Sequence, residues 1–188
     1  MQKPVESIPG TLTLITDTLI TDYWPNDPLT PMLILYILRH AEAEPEARTD
    51  AERALTSKGR EQAKAVGRFC CEHEIYPALV LTSPLVRAEQ TAKLVCKELG
   101  EKTKLETAEF LSAGMSPERA FAHLSKFSDP GPLMLVGHEP DFSEFMAAAI
   151  GGPSESIRLR KAGLAKLTLP ETKPGVGTLD FLLTPKLL

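Results

Sequence analysis

The sequence predicts an α/β fold, a three-layer α/β/α sandwich around a largely parallel sheet. Three observations predict it. Apolar runs of strand length recur at Leu33–Leu38, Ala78–Thr82 and Leu133–Val136. Each is followed by a segment whose apolar residues return at helical spacing. Strand then helix, repeated, is the pattern of parallel strands joined by helical crossovers, with helices covering both sheet faces. Residues 32–188 form the expected domain. Residues 1–31 carry five prolines, three of them between Asp22 and Pro31, and read as an N-terminal extension or linker. Within that extension, Thr11–Ile20 alternates well enough for a docked strand.

The first run, Leu33–Leu38, is unbroken and ends abruptly at Arg39 and His40, as a strand buried on both faces would. After a loop with Glu42, Glu44 and Glu46 on a solvated face, Thr56 or Ser57 caps a helix with Ala63, Val66, Gly67 and Cys70 inward. The second strand runs into Ser83 and Pro84, read as N-cap and first helical residue. The helix that follows buries Ala88, Ala92, Val95 and Leu99 and carries Arg87 in its first turn. Leu105–Leu111 fits strand or loop. Ser116 and Pro117 open a helix with Ala120, Phe121, Leu124 and Phe127 inward, expected to end near Asp129–Pro132. After the third strand come Gly137, His138 and a short helix through Phe142, Phe145 and Met146 that stops at Gly151 and Gly152. Leu164–Leu169 and Leu179–Leu183 flank a Pro/Gly turn, as hairpin or edge strands do.

Composition narrows the function classes. With 188 residues, 43% hydrophobic and 24% charged, the chain can bury a full core and has neither a disordered nor a membrane composition. A net charge of −4 gives no broad basic field for a nucleic acid, so a bound anion must be held by local geometry. Cys70, Cys71 and Cys96 form no paired metal-ligand spacing and read as reduced thiols on helices. No signal-peptide pattern opens the chain, which sets a cytoplasmic location as the expectation.

In open α/β sheets ligands bind beyond the carboxyl ends of the strands. Three such ends carry Arg39 with His40, Ser83 through Arg87, and Gly137 with His138. Two arginines and two histidines thus face one crevice. Arginine's planar fork matches phosphate oxygens, each charge-assisted hydrogen bond being worth ~1.5–3 kcal/mol. A helix N-terminus beside Arg87 adds a favourable dipole. Neutral histidine is nucleophilic, so one of His40 and His138 can attack a phosphoryl group gripped by Arg39 and Arg87 while the other donates to it, with Ser83 beside them. Taken singly, each element also fits an ordinary structural role; their coincidence at three strand ends points to a site. A metal alternative would use His40 with Glu42 and Glu44, or His138 with Glu139 and Asp141. Two arginines at the same ends would repel a cation, and H-E-x-x-H, P-loop and G-x-S-x-G patterns are absent. No metal and no cofactor is expected.

The segments ILRHAEAE, LTSKGREQA, LTSPLVRAEQTA, LVGHEP and the late KAGLAKLTLP with LDFLLTP occur in order from Leu33 onward. They resemble the histidine phosphatase superfamily, and within it the small SixA-like phosphohistidine phosphatases. The resemblance implies a phosphoglycerate-mutase-like sandwich, a phosphohistidine intermediate on His40, and phosphate-binding roles for Arg39, Arg87 and His138. It also places Glu109 where relatives carry a general acid, although the short stretch from Leu99 to Ser116 leaves little material for a lid. Two further features stand out. Most of the superfamily reads Arg-His-Gly where this chain has Ala41, whose Cβ restricts φ and narrows backbone approach to a ligand. Arg53 and Lys161 match positions often basic in relatives, read as a structural ion pair and a rim contact.

The leading reading is a phosphatase acting on phosphohistidine of a protein, such as a histidine phosphotransfer domain. One alternative is a small-molecule phosphomonoesterase or phosphoglycerate-mutase-like phosphotransferase. Another is a non-catalytic phosphate-binding module, which would have no need of His40. No nucleic-acid or membrane partner is expected.

Overall fold

A computed structural model of the protein describes residues 32–100, 103–127 and 131–186. The expected extension at 1–31, with its strand at Thr11–Ile20, lies outside the described residues. The elements are β1 (Leu33–Arg39), α1 (Ser57–Glu72), β2 (Leu79–Thr82), α2 (Val86–Leu99), β3 (Lys104–Thr107), α3 (Pro117–Leu124), β4 (Leu133–Gly137), α4 (Asp141–Ala149), β5 (Leu164–Leu169) and β6 (Thr178–Leu183). The six strands form one sheet in the order β3-β2-β4-β1-β5-β6. β3, β2, β4 and β1 are mutually parallel, and β5 and β6 are added antiparallel.

Alternation along the strands sorts the core into two layers. Leu35 and Ile37 of β1 join Leu133 and Leu135 of β4 under Phe121 and Leu124 of α3 and Phe142, Phe145 and Met146 of α4. Leu38, Val80, Met134 and Val136 point the other way, onto Ala63, Val66 and Cys70 of α1 and Ala88, Ala92 and Val95 of α2. Because β4 is buried at all five residues, it reads as an unbroken apolar run, as a strand covered on both sides must. Alanines line the faces of α1 and α2 that meet the sheet, which lets both helices approach it closely.

Thr56 caps α1 by accepting from Gly59 N at 2.9 Å, and Ser116 caps α3 by accepting from Arg119 N at 3.3 Å. The reading of Ser83 as an N-cap needs correction. α2 starts at Val86, its N-cap residue is Leu85 without a side-chain bond, and the Ser83 hydroxyl is engaged elsewhere. α3 ends at Leu124, several residues before the expected Asp129–Pro132, with Ser125 as its C-cap; Phe127, past that end, still packs on the core. The ambiguous 105–111 stretch divides into strand β3 and a 3-10 turn at Glu109–Leu111. Cys70, Cys71 and Cys96 are free thiols on α1 and α2, and burial pushes Cys70 up to about 12.

Gly59 lies where α1 meets the loop leaving β1: a Cβ built there would stand 1.9 Å from the Glu42 backbone oxygen. That oxygen accepts from Thr56 N at 3.0 Å, so the loop directly after His40 is clamped to the helix start. Overpacking of this kind costs ~1–3 kcal/mol. Gly59→Ala should therefore lower the urea midpoint and, by shifting the segment beyond His40, also depress activity; an unchanged midpoint would show that the clamp yields freely.

Candidate active site

The site grows from the pairing of β1 with β4. Arg39 lies opposite Gly137, and His40 N donates to Gly137 O at 3.0 Å. The residues just past the two strands therefore stand side by side, and the rings of His40 and His138 have centroids 5.3 Å apart. On the other side of β4, Ser83 N donates to Val136 O at 2.9 Å, which brings the end of β2 and the start of α2 to the same edge. Of the residues expected at the site, Arg39, His40, Ser83, Arg87 and His138 are gathered there.

His40 is buried, and its Nδ1 stands 2.8 Å from the Ala41 carbonyl oxygen. A carbonyl only accepts, so Nδ1 carries the ring hydrogen and Nε2 keeps its lone pair. Burial pushes the imidazole down to about 3; the Ala41 bond opposes that shift, and the charges of His138, Arg87 and Arg39 reinforce it. The ring is thus neutral and nucleophilic at physiological pH. Ala41 accommodates this without strain: it is absent from the positive-φ residues, its methyl belongs to the core, and its N–H donates to Thr91 Oγ1 at 3.0 Å.

His138 Nε2 is 2.7 Å from Ser83 Oγ, which in turn accepts from Leu85 N at 3.3 Å. Nε2 is the acceptor that the buried Ser83 hydroxyl hydrogen meets among the described residues, so that hydrogen is directed to His138 Nε2 and the ring hydrogen resides on Nδ1. That Nδ1 is buried and has no protein partner among the described residues. Burial, then the charge of Arg87, lowers His138 to about 4, with Asp50 opposing.

The two guanidinium groups are braced from behind. Arg87 donates through Nη1 to the Asp50 carbonyl at 2.7 Å and through Nη2 to its carboxylate at 3.0 Å. Arg53 holds the other oxygen of that carboxylate at 2.8 Å and the Glu44 carbonyl at 2.7 Å. Arg53 is accordingly the structural ion pair that its position suggested. Arg39 Nη1 donates to Leu159 O at 3.0 Å. Leu159 N donates to Ser143 Oγ at 3.1 Å, and Ser143 donates to Glu139 at 2.7 Å. Burial raises the Glu139 carboxyl, against the Ser143 bond and the Arg39 charge. The Nε donors of both Arg39 and Arg87 remain buried without a partner among the described residues. Beside a nucleophilic nitrogen, these donors and His138 Nδ1 form a set suited to an acceptor-rich anion.

Glu109 is not brought into this set. It is exposed at the start of the 3-10 turn after β3, and no hydrogen bond ties its side chain to a site residue among the described residues. Three carboxylates of the metal alternative are otherwise engaged: Glu42 pairs with Lys58 at 3.0 Å, Glu139 accepts from Ser143, and Asp141 accepts from Gly114 N and Met115 N at 2.8 and 3.0 Å. Among the described residues, no group of three or more His, Cys, Asp or Glu side chains is disposed to hold a metal ion. Asp50, Thr91, Ser143 and Leu159 were missed by sequence reasoning. Only Asp50 left a signal, the acidic partner that a buried Arg87 requires.

The profile of the histidine phosphatase superfamily (branch 1) matches residues 35–112. An uncharacterized protein from Picosynechococcus sp. is 33% identical over 137 residues, covering 71% of this chain and 83% of that protein. The mitochondrial serine/threonine-protein phosphatase Pgam5 of Drosophila persimilis is 40% identical over 167 residues, covering 72% of this chain; the chain spans only 58% of that relative's length. Phosphohistidine phosphatase SixA of Escherichia coli is 26% identical over 153 residues, with 80% and 93% covered. Among solved structures, protein histidine phosphatase SixA complexed with tungstate superposes with a TM-score of 0.74 at 24% identity, over 81% of this chain and 97% of that one. A putative alpha-ribazole-5'-P phosphatase from Escherichia coli gives 0.67 at 21% identity, over 81% and 97%. The chain belongs to the histidine phosphatase superfamily, and its sandwich is that superfamily's fold. The comparisons support a phosphatase, and no helix among the described residues is long and apolar enough to cross a membrane.

The depressed histidines carry a stability consequence. In the unfolded chain both titrate near 6.5, but in the folded chain only at about 3 and 4. Between those limits the unfolded state binds more protons, so stability is full above pH 6.5 and falls as the pH drops toward 3. Each histidine contributes a slope approaching ~1.4 kcal/mol per pH unit. Urea midpoints measured at pH 7, 6 and 5 should fall, and fall less steeply in His40→Asn; identical slopes would contradict the buried neutral ring.

Proposed function

We propose that the protein hydrolyses phosphohistidine on a protein substrate through a phosphohistidine intermediate on His40. The observation that carries the reading is the bond from His40 Nδ1 to the Ala41 carbonyl, which leaves a neutral Nε2 lone pair among three donor groups. In the first step Nε2 attacks phosphorus and the bond from phosphorus to the substrate imidazole breaks. Arg39, Arg87 and His138 Nδ1–H hold the equatorial oxygens, where charge-directed donors act most strongly on phosphoryl transfer. Water then attacks the phosphorus on His40, releasing inorganic phosphate and restoring Nε2. Ser83 serves by fixing the His138 tautomer.

The leaving group supports a phosphoramidate substrate. Expelling an alkoxide calls for a general acid, a contribution of ~10²–10⁴-fold. Glu109, the acid suggested by resemblance, is exposed and unconnected to the site, whereas an imidazole departs readily. The likeness to SixA points the same way. The second reading, ester hydrolysis on protein serine or threonine or on a small molecule, is favoured by the likenesses to Pgam5 and to the alpha-ribazole-5'-P phosphatase. Glu139, with its raised carboxyl beside His138, would then be the acid to examine.

Phosphohistidine, phosphoserine and sugar phosphates offered to one preparation separate these readings. His40→Ala should lose at least about a thousandfold in turnover, and wild type quenched during turnover should carry acid-labile phosphate. Phosphohistidine should be hydrolysed fastest, little affected by Glu109→Gln or by EDTA. Preference for an alkyl phosphate, lost in Glu109→Gln or Glu139→Gln, would replace the phosphoramidate assignment with acid-assisted ester hydrolysis.

A further inference from the structure

Beside Arg39 opens a cavity of about 860 Å³ whose walls carry Lys58, Arg160, Lys161 and Lys186. Together with Arg39 these are five cations from four separate stretches of a chain whose net charge is −4. Lys58, Arg160, Lys161 and Lys186 are exposed. Among the described residues only Lys58 of these five makes a direct salt bridge, to Glu42 at 3.0 Å, and Arg39 feels the charge of Glu139. Lys58 is also the second residue of α1, where a positive charge opposes the helix dipole and the first turn itself carries no acidic residue. Helix stability therefore does not account for it.

The turn bearing Arg160 and Lys161 is tied to the nucleophile's own backbone. Ala162 N donates to His40 O at 3.2 Å, and Arg39 N donates to Gly163 O at 3.2 Å. Gly163 N closes the turn onto Arg160 O at 2.7 Å. Ala162 adopts φ 51°, a left-handed conformation costly for a residue with a Cβ, and a Cβ on Gly163 would lie 2.7 Å from Arg160 O. The two basic residues are thus presented at a fixed place relative to His40.

The lining sets five cationic side chains around Pro185, with the aliphatic stems of the lysines and arginines supplying apolar surface between the charges. Such a surface suits a chain bearing several carboxylates, which clustered cations attract and orient. We propose that this groove binds an acidic peptide segment flanking the phosphorylated residue of a protein substrate. The proposal deepens the phosphatase reading and rests on it for the presence of a phosphorylated residue at His40.

Binding can be measured apart from catalysis. Full-length protein is titrated with fluorescent ten-residue peptides rich in glutamate or in glutamine, both unphosphorylated, and anisotropy is followed at low and moderate salt. The glutamate peptide should bind at least about tenfold more tightly, with salt weakening it. Arg160→Glu with Lys161→Glu, and separately Lys186→Glu, should each remove most of that preference; the second variant sits on a different element and guards against a local folding defect in the first. Equal affinity for both peptides, or no effect of either variant, would overturn the proposal. Competition by malonate or pyrophosphate as strong as by the peptide would also overturn it, assigning the groove to a second anionic group of a small molecule. In parallel, phosphopeptides with acidic or neutral flanks report on turnover. Failure of the phosphatase reading would appear as no turnover of either and no acid-labile phosphate on His40, whereas equal turnover of both would reject the groove alone.

Discussion

One register decides the site. β1 and β4 pair so that Arg39 lies opposite Gly137, and a shift by a single residue would turn each following side chain to the opposite face. Everything chemical hangs on this alignment: the two histidines emerge side by side, the two arginines approach from either flank, and the main chain of His40 is pinned to Gly137. The alignment is itself enforced by the core. Gly137 packs so closely that a Cβ would stand 2.8 Å from the Phe142 ring, and Phe142 is fully buried in the layer formed with α3. The packing of an apolar helix thus sets where His40 stands.

Four nitrogenous side chains packed together would repel if all were charged. The structure relieves this by division of labour. His40 and His138 are held neutral by burial, each with one ring nitrogen committed to a neighbour, while the arginines keep their charge and are balanced from outside by Asp50 and Glu139. Asp50 is itself shared with Arg53, so the carboxylate that braces Arg87 is fixed on both sides. An incoming phosphoryl group would meet the remaining donors already oriented, with little reorganisation to be supplied during reaction.

Much of this was legible in the sequence because the signals were local. Unbroken apolar runs marked β1 and β4, and Thr56 and Ser116 marked their helix starts by the same hydroxyl chemistry that the structure displays. Where reading failed, a residue had two claims on it. Ser83 has the composition of an N-cap, yet its hydroxyl serves His138, a contact spanning 55 positions that no local pattern reveals. The reading of α3 ran too long because the apolar periodicity continues into Phe127 after the helix has ended at Leu124. Ala41 looked costly in place of glycine, but at a negative φ its methyl is simply buried. Asp50, Ser143 and Leu159 act through contacts distant in sequence, invisible without the fold.

The antiparallel pair β5 and β6 explains how one edge of the site came to be basic. A parallel strand after β1 would begin at the far end of the sheet, away from His40. β5 instead runs back along β1, starting with Leu164 opposite Leu38, so the turn before it, with Leu159, Arg160 and Lys161, lands beside Arg39. β6 reverses again and ends with Leu183 opposite Leu164, which delivers Lys186 to the same place. Two changes of strand direction therefore bring two chain segments, far apart in sequence, to the end of the sheet that carries His40. The backbone oxygen of Leu159 steadies Arg39 there, and the side chains that follow it extend the positive surface outward.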